Sequence, residues 1–559
     1  AATRVASSGY IEKGRENLLL QSNNFNTTWT TNNSSVSGGQ TGYDGSSDAW
    51  EFEATSTSSC NIIQNISQSG VQNFSIYAKS GTTDWLRVLG DATTNYLAFF
   101  DLTNGVVGAT LGGANIDASI TDVGAGWYRC SISGNASITR VIINIASGNN
   151  DISTTIGDNI YIQDAQLEQG LVATSVIESG ATTAKAGILE DMPRLDYSGG
   201  ASCPALLLEP QRTNVADNSE YHSGSTYGNN NVTTTDNEAT SPEGVQNAAK
   251  IVLDNGTFTS NGAHYYPFNS TAGTQYTISV FAKAGEYRYF TFTYGSISAC
   301  GGHFDLQEGV KLGDITNAQY TNTSASIEDY GNGWYRLIVS LTDTITTSGR
   351  FLSMKPSPSA SVPSNNNYSS TGDGTSGAFV YGFQVEQASY PTSYIPTFGS
   401  AVTRSLDVCE DAGDADTFND SQGTLFAELF IEEDIDSNIN ISVSGGVHAQ
   451  NLLKFIYLPS SNEFRFEVYG ASLVTQIQKF NLSLGVYHKI AGSYDGTNTK
   501  LYIDGAQINT ISTEQIPTGL NQFNFDRADG TAPFTGKCKQ AIYFPTALTD
   551  SECIALTTL

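Results

Sequence analysis

Polar and apolar residues alternate along most of this chain. In Phe74-Ser-Ile-Tyr-Ala78, Phe74, Ile76 and Ala78 point one way while Ser75 and Tyr77 point the other. That period of two is the signature of a strand with one buried face. Gly81 closes this strand, and Gly105 falls where a tight turn requires positive φ. Farther on, Gly423-Thr-Leu-Phe-Ala-Glu-Leu-Phe430 alternates in the same way. In the segment from Tyr487 to Gly505, two Asp-Gly pairs (Asp495-Gly496 and Asp504-Gly505) mark hairpin turns around an inward-facing Leu501 and Ile503.

The strand pattern occurs twice. Phe74-Ser-Ile-Tyr-Ala-Lys-Ser-Gly81 recurs as Ile278-Ser-Val-Phe-Ala-Lys-Ala-Gly285, and Phe100-Asp-Leu-Thr-Asn-Gly105 as Phe304-Asp-Leu-Gln-Glu-Gly309. Ala118-Ser-Ile-Thr-Asp-Val-Gly-Ala-Gly-Trp-Tyr-Arg129 recurs as Ala325-Ser-Ile-Glu-Asp-Tyr-Gly-Asn-Gly-Trp-Tyr-Arg336. Each copy then closes on a strand, Tyr161-Ile-Gln-Asp-Ala-Gln-Leu-Glu168 or Tyr381-Gly-Phe-Gln-Val-Glu386. Four landmarks in one order define two homologous modules. Trp127 and Trp334 are expected to point into their cores.

The predicted organisation has a lead-in over 1–16 and module 1 over 17–178. A Pro-containing connector follows over 179–213, then module 2 over 214–398. An acidic linker over 399–422 leads to a third domain over 423–559. The expected fold class is all-β, with tandem antiparallel β-sandwiches of the jelly-roll type. At ~100–200 residues per domain, 559 residues hold three to five domains with cores of their own.

Composition narrows the function. With 26 Lys and Arg against 55 Asp and Glu the net charge is −29, which excludes a phosphate-binding surface and hence nucleic acid as partner. No apolar run reaches the ~18 residues of a membrane span, and the start, Ala1 to Tyr10, lacks a charged-then-apolar leader. The seven cysteines form no C-x-x-C. Cys538 with Cys553, or Cys60 with Cys130, could pair; buried free thiols are the equal alternative.

Catalytic motifs are missing. The histidines (222, 264, 303, 448 and 488) form no H-E-x-x-H pair, and no G-x-S-x-G occurs. Gly372-Asp-Gly-Thr-Ser-Gly377 matches a phosphate-loop spacing but leads into a strand and reads as a turn. The expectation is a protein that is not an enzyme. Sugar binding remains open, because sugars stack on water-facing aromatics while amides and carboxylates bond their hydroxyls. Trp85 and Tyr289 hold equivalent positions in the two modules and are candidates, as are Tyr494 and Asp495 in the last domain. No cofactor is expected. Structural calcium is the one metal to consider, with Asp414 and Asp416 as candidate ligands in a stretch that otherwise reads as a solvated linker.

Two resemblances sharpen the reading. The hairpin around Tyr494-Asp-Gly496 and Leu501-Tyr-Ile-Asp-Gly505, with Ala541 to Leu556, resembles the laminin-G/pentraxin-like branch of the concanavalin-type lectin fold, which implies a jelly roll over roughly 420–559. The repeats, with Leu206-Leu-Leu-Glu-Pro-Gln-Arg-Thr-Asn214 and Pro391-Thr-Ser-Tyr-Ile-Pro396, resemble modules of bacteriophage tail-fibre and other virion structural proteins over roughly 1–404. The first copy departs from that pattern, with Ala173-Thr-Ser-Val-Ile177 at the corresponding place. The resemblance implies a homo-oligomeric virion-surface appendage that binds host-surface polysaccharide or glycan and contacts other virion subunits. The alternative is a subunit of a cell-made extracellular filament or adhesin, at the bacterial cell surface or secreted. A third reading is the binding portion of a secreted polysaccharide-degrading enzyme.

Overall fold

In the computed structural model the described residues are all except 1, 259–261, 366–368, 434, 436, 448 and 449. The chain is all-β, apart from one C-terminal helix and two single-turn 3₁₀ segments among the described residues. It divides into two compact units. The first holds residues 1–3, 10–191 and 213–403, and the second holds 4–9, 192–212 and 404–559.

In the first unit both modules are sandwiches of two six-stranded antiparallel sheets, and strand for strand they are the same. One sheet of module 1 runs 106–111, 96–101, 85–92, 138–146, 61–68 and 30–32; its partner in module 2 runs 310–315, 299–305, 289–295, 347–357, 263–270 and 228–230. The other sheet runs 115–124, 127–135, 71–80, 159–169, 49–54 and 34–40, matched by 320–329, 334–343, 275–284, 377–386, 248–253 and 232–239. The alternation predicts the core correctly. Phe74, Ile76 and Ala78 are fully buried between the sheets of module 1, as are Ile278, Val280 and Ala282 in module 2. Gly105 and Gly309 take φ of 65° and 66° at the predicted turns.

Both tryptophans are buried, but not in those cores. Tyr128 and Cys130 of strand 127–135 face the sandwich interior, so Trp127 and Arg129 face outward. There Trp127 packs with Ala49 and Tyr77, and Trp334 packs with Ile11, Ala248, Phe281, Tyr381 and Tyr394. Each module thus has a second apolar cluster on the outside of one sheet.

In the second unit a seven-stranded sheet faces a five-stranded one. The larger runs 195–196, 205–208, 536–544, 423–430, 487–494, 498–503 and 506–512; the smaller runs 474–480, 463–469, 452–458, 439–444 and 522–524. Two strands of the larger sheet come from the stretch read as a connector. Leu206, Leu207 and Leu208 pair with Cys538, Lys537 and Gly536, and Leu208 is part of the core. The acidic stretch is also structured where it meets this unit. Asp411 and Ala412 line the edge strand at 523–524, and the Asp420 carboxylate accepts from the backbone N–H groups of Gly519 and Leu520. The Asp504-Gly505 turn has positive φ at both residues, the backbone of a tight hairpin. The closing helix Asp550–Thr557 starts on a capping box between Thr549 and Glu552. No described helix is long and apolar enough to cross a membrane.

Candidate functional site

The site residues named from sequence fall into different environments. In module 1, Trp85 starts strand 85–92 and faces away from the core, half-buried beside Leu89, Leu97, Phe99, Ile142 and Ala146. Its indole reaches Gly108 on strand 106–111, two strands over in the sheet, where a Cβ would stand 2.6 Å from the ring. Asn149 reaches the same place, and its Oδ1 accepts from the Ala109 N–H at 2.6 Å. Two positions along the strand, the Arg87 guanidinium donates to Asn144 Oδ1 at 2.7 and 3.2 Å. Partial burial lowers the guanidinium's pKa. Trp85, Asn149 and Arg87 therefore put an aromatic edge, an exposed amide and a guanidinium on one sheet face. Of these, sequence reasoning found only the tryptophan; the others needed the strand register.

The equivalent face of module 2 is different. Tyr289 is half-buried, with the Arg288 guanidinium 5.3 Å from its ring centre and the His303 ring 6.2 Å away. His303 is buried, bonded through Nδ1 to the Thr291 hydroxyl (2.8 Å) and through Nε2 to the Ser359 carbonyl (3.0 Å). Val362 packs over Gly313. The 357–362 loop thus lies on this face, and burial holds the nearby Lys355 ammonium well below its ordinary pKa.

In the last domain, Tyr494 is fully buried. Its hydroxyl donates to the Asn419 carbonyl and lies 3.2 Å from the Tyr543 hydroxyl. It is a core residue and presents no face to a ligand, because position 494 falls on the inward phase of its strand. The Asp495 carboxylate accepts from the N–H groups of Thr497 and Asn498 (2.8 and 2.6 Å), so it closes the hairpin turn. Asp414 is spent on its own turn, accepting from the N–H groups of Asp416 and Thr417 at 3.1 Å each. Asp414 and Asp416 are both exposed. Among the described residues no group of three or more His, Cys, Asp or Glu is placed to hold a metal ion. His488 is bonded to Asp504 Oδ2 and the Ser483 carbonyl at 2.6 Å each, and His448 lies outside the described residues. The seven cysteines are free.

Each module closes on a hydrogen-bond device that the sequence reading did not single out. Asn17 donates to the carbonyls of Ala165 and Ile177 and accepts from the N–H groups of Leu19 and Leu167. Asn214 does the same with Phe383, Ile395, Ala216 and Val385. Both amides use both donors and both lone pairs. Glu168 accepts from Gln166 Nε2 and from the Thr174 N–H and hydroxyl. Glu386 repeats this with Gln384 and Thr392. The Ala173–Ile177 departure therefore leaves the closure unchanged. The signal was present as Gln-x-Glu followed six residues after the Glu by Thr-Ser.

The lead-in occupies a socket on the outer cluster of module 2. The Ile11 N–H donates to the Pro242 carbonyl at 2.8 Å, and Ile11 joins Trp334 and Phe281. The buried Lys13 ammonium stands 2.8 Å from both Glu220 and Glu243. Tyr381 and Tyr394 donate their hydroxyls to Glu220 at 3.0 and 3.1 Å, and Asn247 Nδ2 donates to Glu243 at 2.9 Å. Burial opposes the charge on Lys13, but the two carboxylates raise its pKa above the ordinary value. Burial also raises the Glu220 carboxyl.

A family model described as the concanavalin A-like lectin/glucanases superfamily matches residues 415–553. No curated protein matches the chain. Among solved structures, the carbohydrate-binding module CBM40 of a Ruminococcus gnavus sialidase bound to α2,3-sialyllactose is 18% identical, covering 28% of this chain and 96% of its own, with a TM-score of 0.24. The tandem CBM22-1–CBM22-2 domain of Paenibacillus barcinonensis Xyn10C is 11% identical over 66% of this chain and 97% of its own, at 0.21. Domains LG4-5 of the mouse laminin α1 chain are 10% identical over 52% of this chain and 90% of theirs, at 0.20. Likenesses this low in TM-score establish neither a shared family nor a shared ligand.

Proposed function

We propose that this is an extracellular, non-catalytic binding protein of the adhesin type, in which module 1 takes a glycan on its outer sheet face. The observation that carries the reading is Trp85, laid half-exposed across Gly108 beside the exposed amide of Asn149. Arg87, on the same face, supplies donors for ring hydroxyls. Module 2 acts as a spacer whose equivalent face is occupied by its own 357–362 loop. The concanavalin-like match over 415–553 supports a recognition or scaffold role for the last domain.

The virion-appendage form of this reading rests on the connector sequences 206–214 and 391–396. The cell-made filament or adhesin form draws on the lead-in sequence Ala2-Thr-Arg-Val5, which is echoed by Ala401-Val-Thr-Arg404 on leaving module 2. Both are assemblies of many copies outside the cell.

A glycan array read with the full chain tests the proposal. Saturable binding to at least one glycan is expected, weakened tenfold or more by Trp85→Ala and unchanged by Tyr289→Ala. Binding that survives Trp85→Ala at full strength removes the site from module 1, and no glycan binding at all leaves the structural role alone.

A further inference from the structure

The socket that holds the lead-in on module 2 has a twin on module 1. The two are matched by backbone bonds. Gly42 donates to the Ser46 carbonyl and Gly45 to that of Gly42, as Ser241 does to Val245 and Gly244 to Ser241. On this match Asp44 corresponds to Glu243 and Asp48 to Asn247. Strand register adds Tyr77 for Phe281 and Gln163 for Tyr381. The apolar floor is the same, with Ala49, Tyr77 and Trp127 standing for Ala248, Phe281 and Trp334.

The contents differ. Where Ile11 fills the module 2 cluster, module 1 has the half-buried ring of Tyr43, stacked on Tyr77 at 3.8 Å. Where Lys13 neutralises two carboxylates, module 1 has only the neutral Gln163 amide, 2.9 Å from Asp48 and 3.4 Å from Asp44. Asp164 adds a third carboxylate, held by the Tyr43 hydroxyl at 3.0 Å. Its own burial and the nearby Glu178, Asp48 and Asp44 push its pKa up to about 6. Among the described residues no Lys or Arg forms an ion pair with Asp44, Asp48 or Asp164.

We propose that this face of module 1 docks an extended segment of a second polypeptide, one carrying an aliphatic residue and, two positions on, a lysine. The chemistry of the occupant is set by the twin, where Ile11 meets the same apolar floor and Lys13 meets carboxylates, Glu243 among them at the position of Asp44. Entry of the strand lifts the Tyr43 ring off Tyr77 and puts the ammonium among Asp44, Asp48 and Asp164 in place of the amide. The partner is thereby joined to module 1 as the chain's own lead-in is joined to module 2. This goes beyond the glycan reading and uses the opposite sheet.

The test is fluorescence anisotropy with a labelled peptide of residues 8–16 and the full chain. Saturable binding is expected, at least tenfold weaker for a Lys13→Glu peptide and for the Asp44→Asn/Asp48→Asn chain. Both aspartates are exposed, so the double variant keeps its fold, which circular dichroism checks. Binding unchanged in that variant overturns the proposal, because the peptide then sits elsewhere, the module 2 socket included. No saturable binding overturns it too, as does a socket that takes calcium but no peptide. Trp85→Ala leaves peptide binding intact, so failure here and failure of the glycan reading are separable.

Discussion

At the scale of single residues, the most exposed to substitution are polar side chains with no spare bonds. Lys13 neutralises Glu220 and Glu243 inside the protein, and removing one partner of a buried ion pair leaves charge without solvent. Lys13→Met is expected to cost about 3–5 kcal/mol in urea unfolding, with much of it restored by adding Glu220→Gln. His222 makes a different prediction. Its ring is buried with Nδ1 3.3 Å from His264 Nε2, and burial lowers its pKa to about 3. The folded protein therefore binds fewer protons than the unfolded chain between pH 6.5 and 3. Its contribution is whole above pH 6.5 and is lost as pH falls, by about 2 kcal/mol at pH 5. Unfolding of wild type and His222→Phe across pH 4.5–7.5 should show the variant with the shallower acid loss. The reverse slope would place a charged imidazole in the fold.

At the scale of elements, alternation and Asp-Gly turns made most strands readable, because a strand's two faces differ in solvent and a one-residue slip exposes its core side. That logic is silent on which face of a sandwich a second cluster covers, and Trp127 shows it. A tryptophan directly after a turn is equally well buried inside the sheet pair or on its outer face. The connector shows a second limit. Leu206 to Leu208 reads as part of the Pro-containing connector, yet it is a sheet strand paired with residues 536–538. A pairing between positions some 330 residues apart leaves no local trace. The pairing carries its own prediction. Leu208→Asp puts a carboxylate into the last domain's core and should cost that domain several kcal/mol, seen as an early thermal transition with glycan binding by module 1 preserved. It also follows that a fragment starting near residue 405 lacks two strands of its sheet, and that adding residues 192–212 should raise its melting temperature.

At the scale of the whole molecule, the charge of −29 decides how the protein meets surfaces. Repulsion from an anionic cell envelope acts over about 8–10 Å at physiological ionic strength and shortens as salt rises. Attachment to anionic surfaces should therefore quicken between 20 and 150 mM salt, while the affinity for a neutral glycan on Trp85 stays nearly constant. A rate that falls with salt would reveal a local basic patch overriding the net charge.

Sequence by itself determined the class, the duplication and the core. Those properties follow from periodicity and repeat spacing, which are written in neighbouring positions. It also pointed to Trp85, because an aromatic held at one place in both repeats is visible without coordinates. Only the tertiary structure placed the 357–362 loop on module 2's face, beside His303 and Gly313, which no feature of Tyr289 itself announces. Only it showed Tyr494 in a core, and residues 195–208 in a sheet. Only it showed one socket filled by Lys13 and its twin ringed by unneutralised acids. Each of these is a meeting of segments far apart along the chain, set by how the sheets stack and which loops cover them, and so each lies beyond the reach of local pattern.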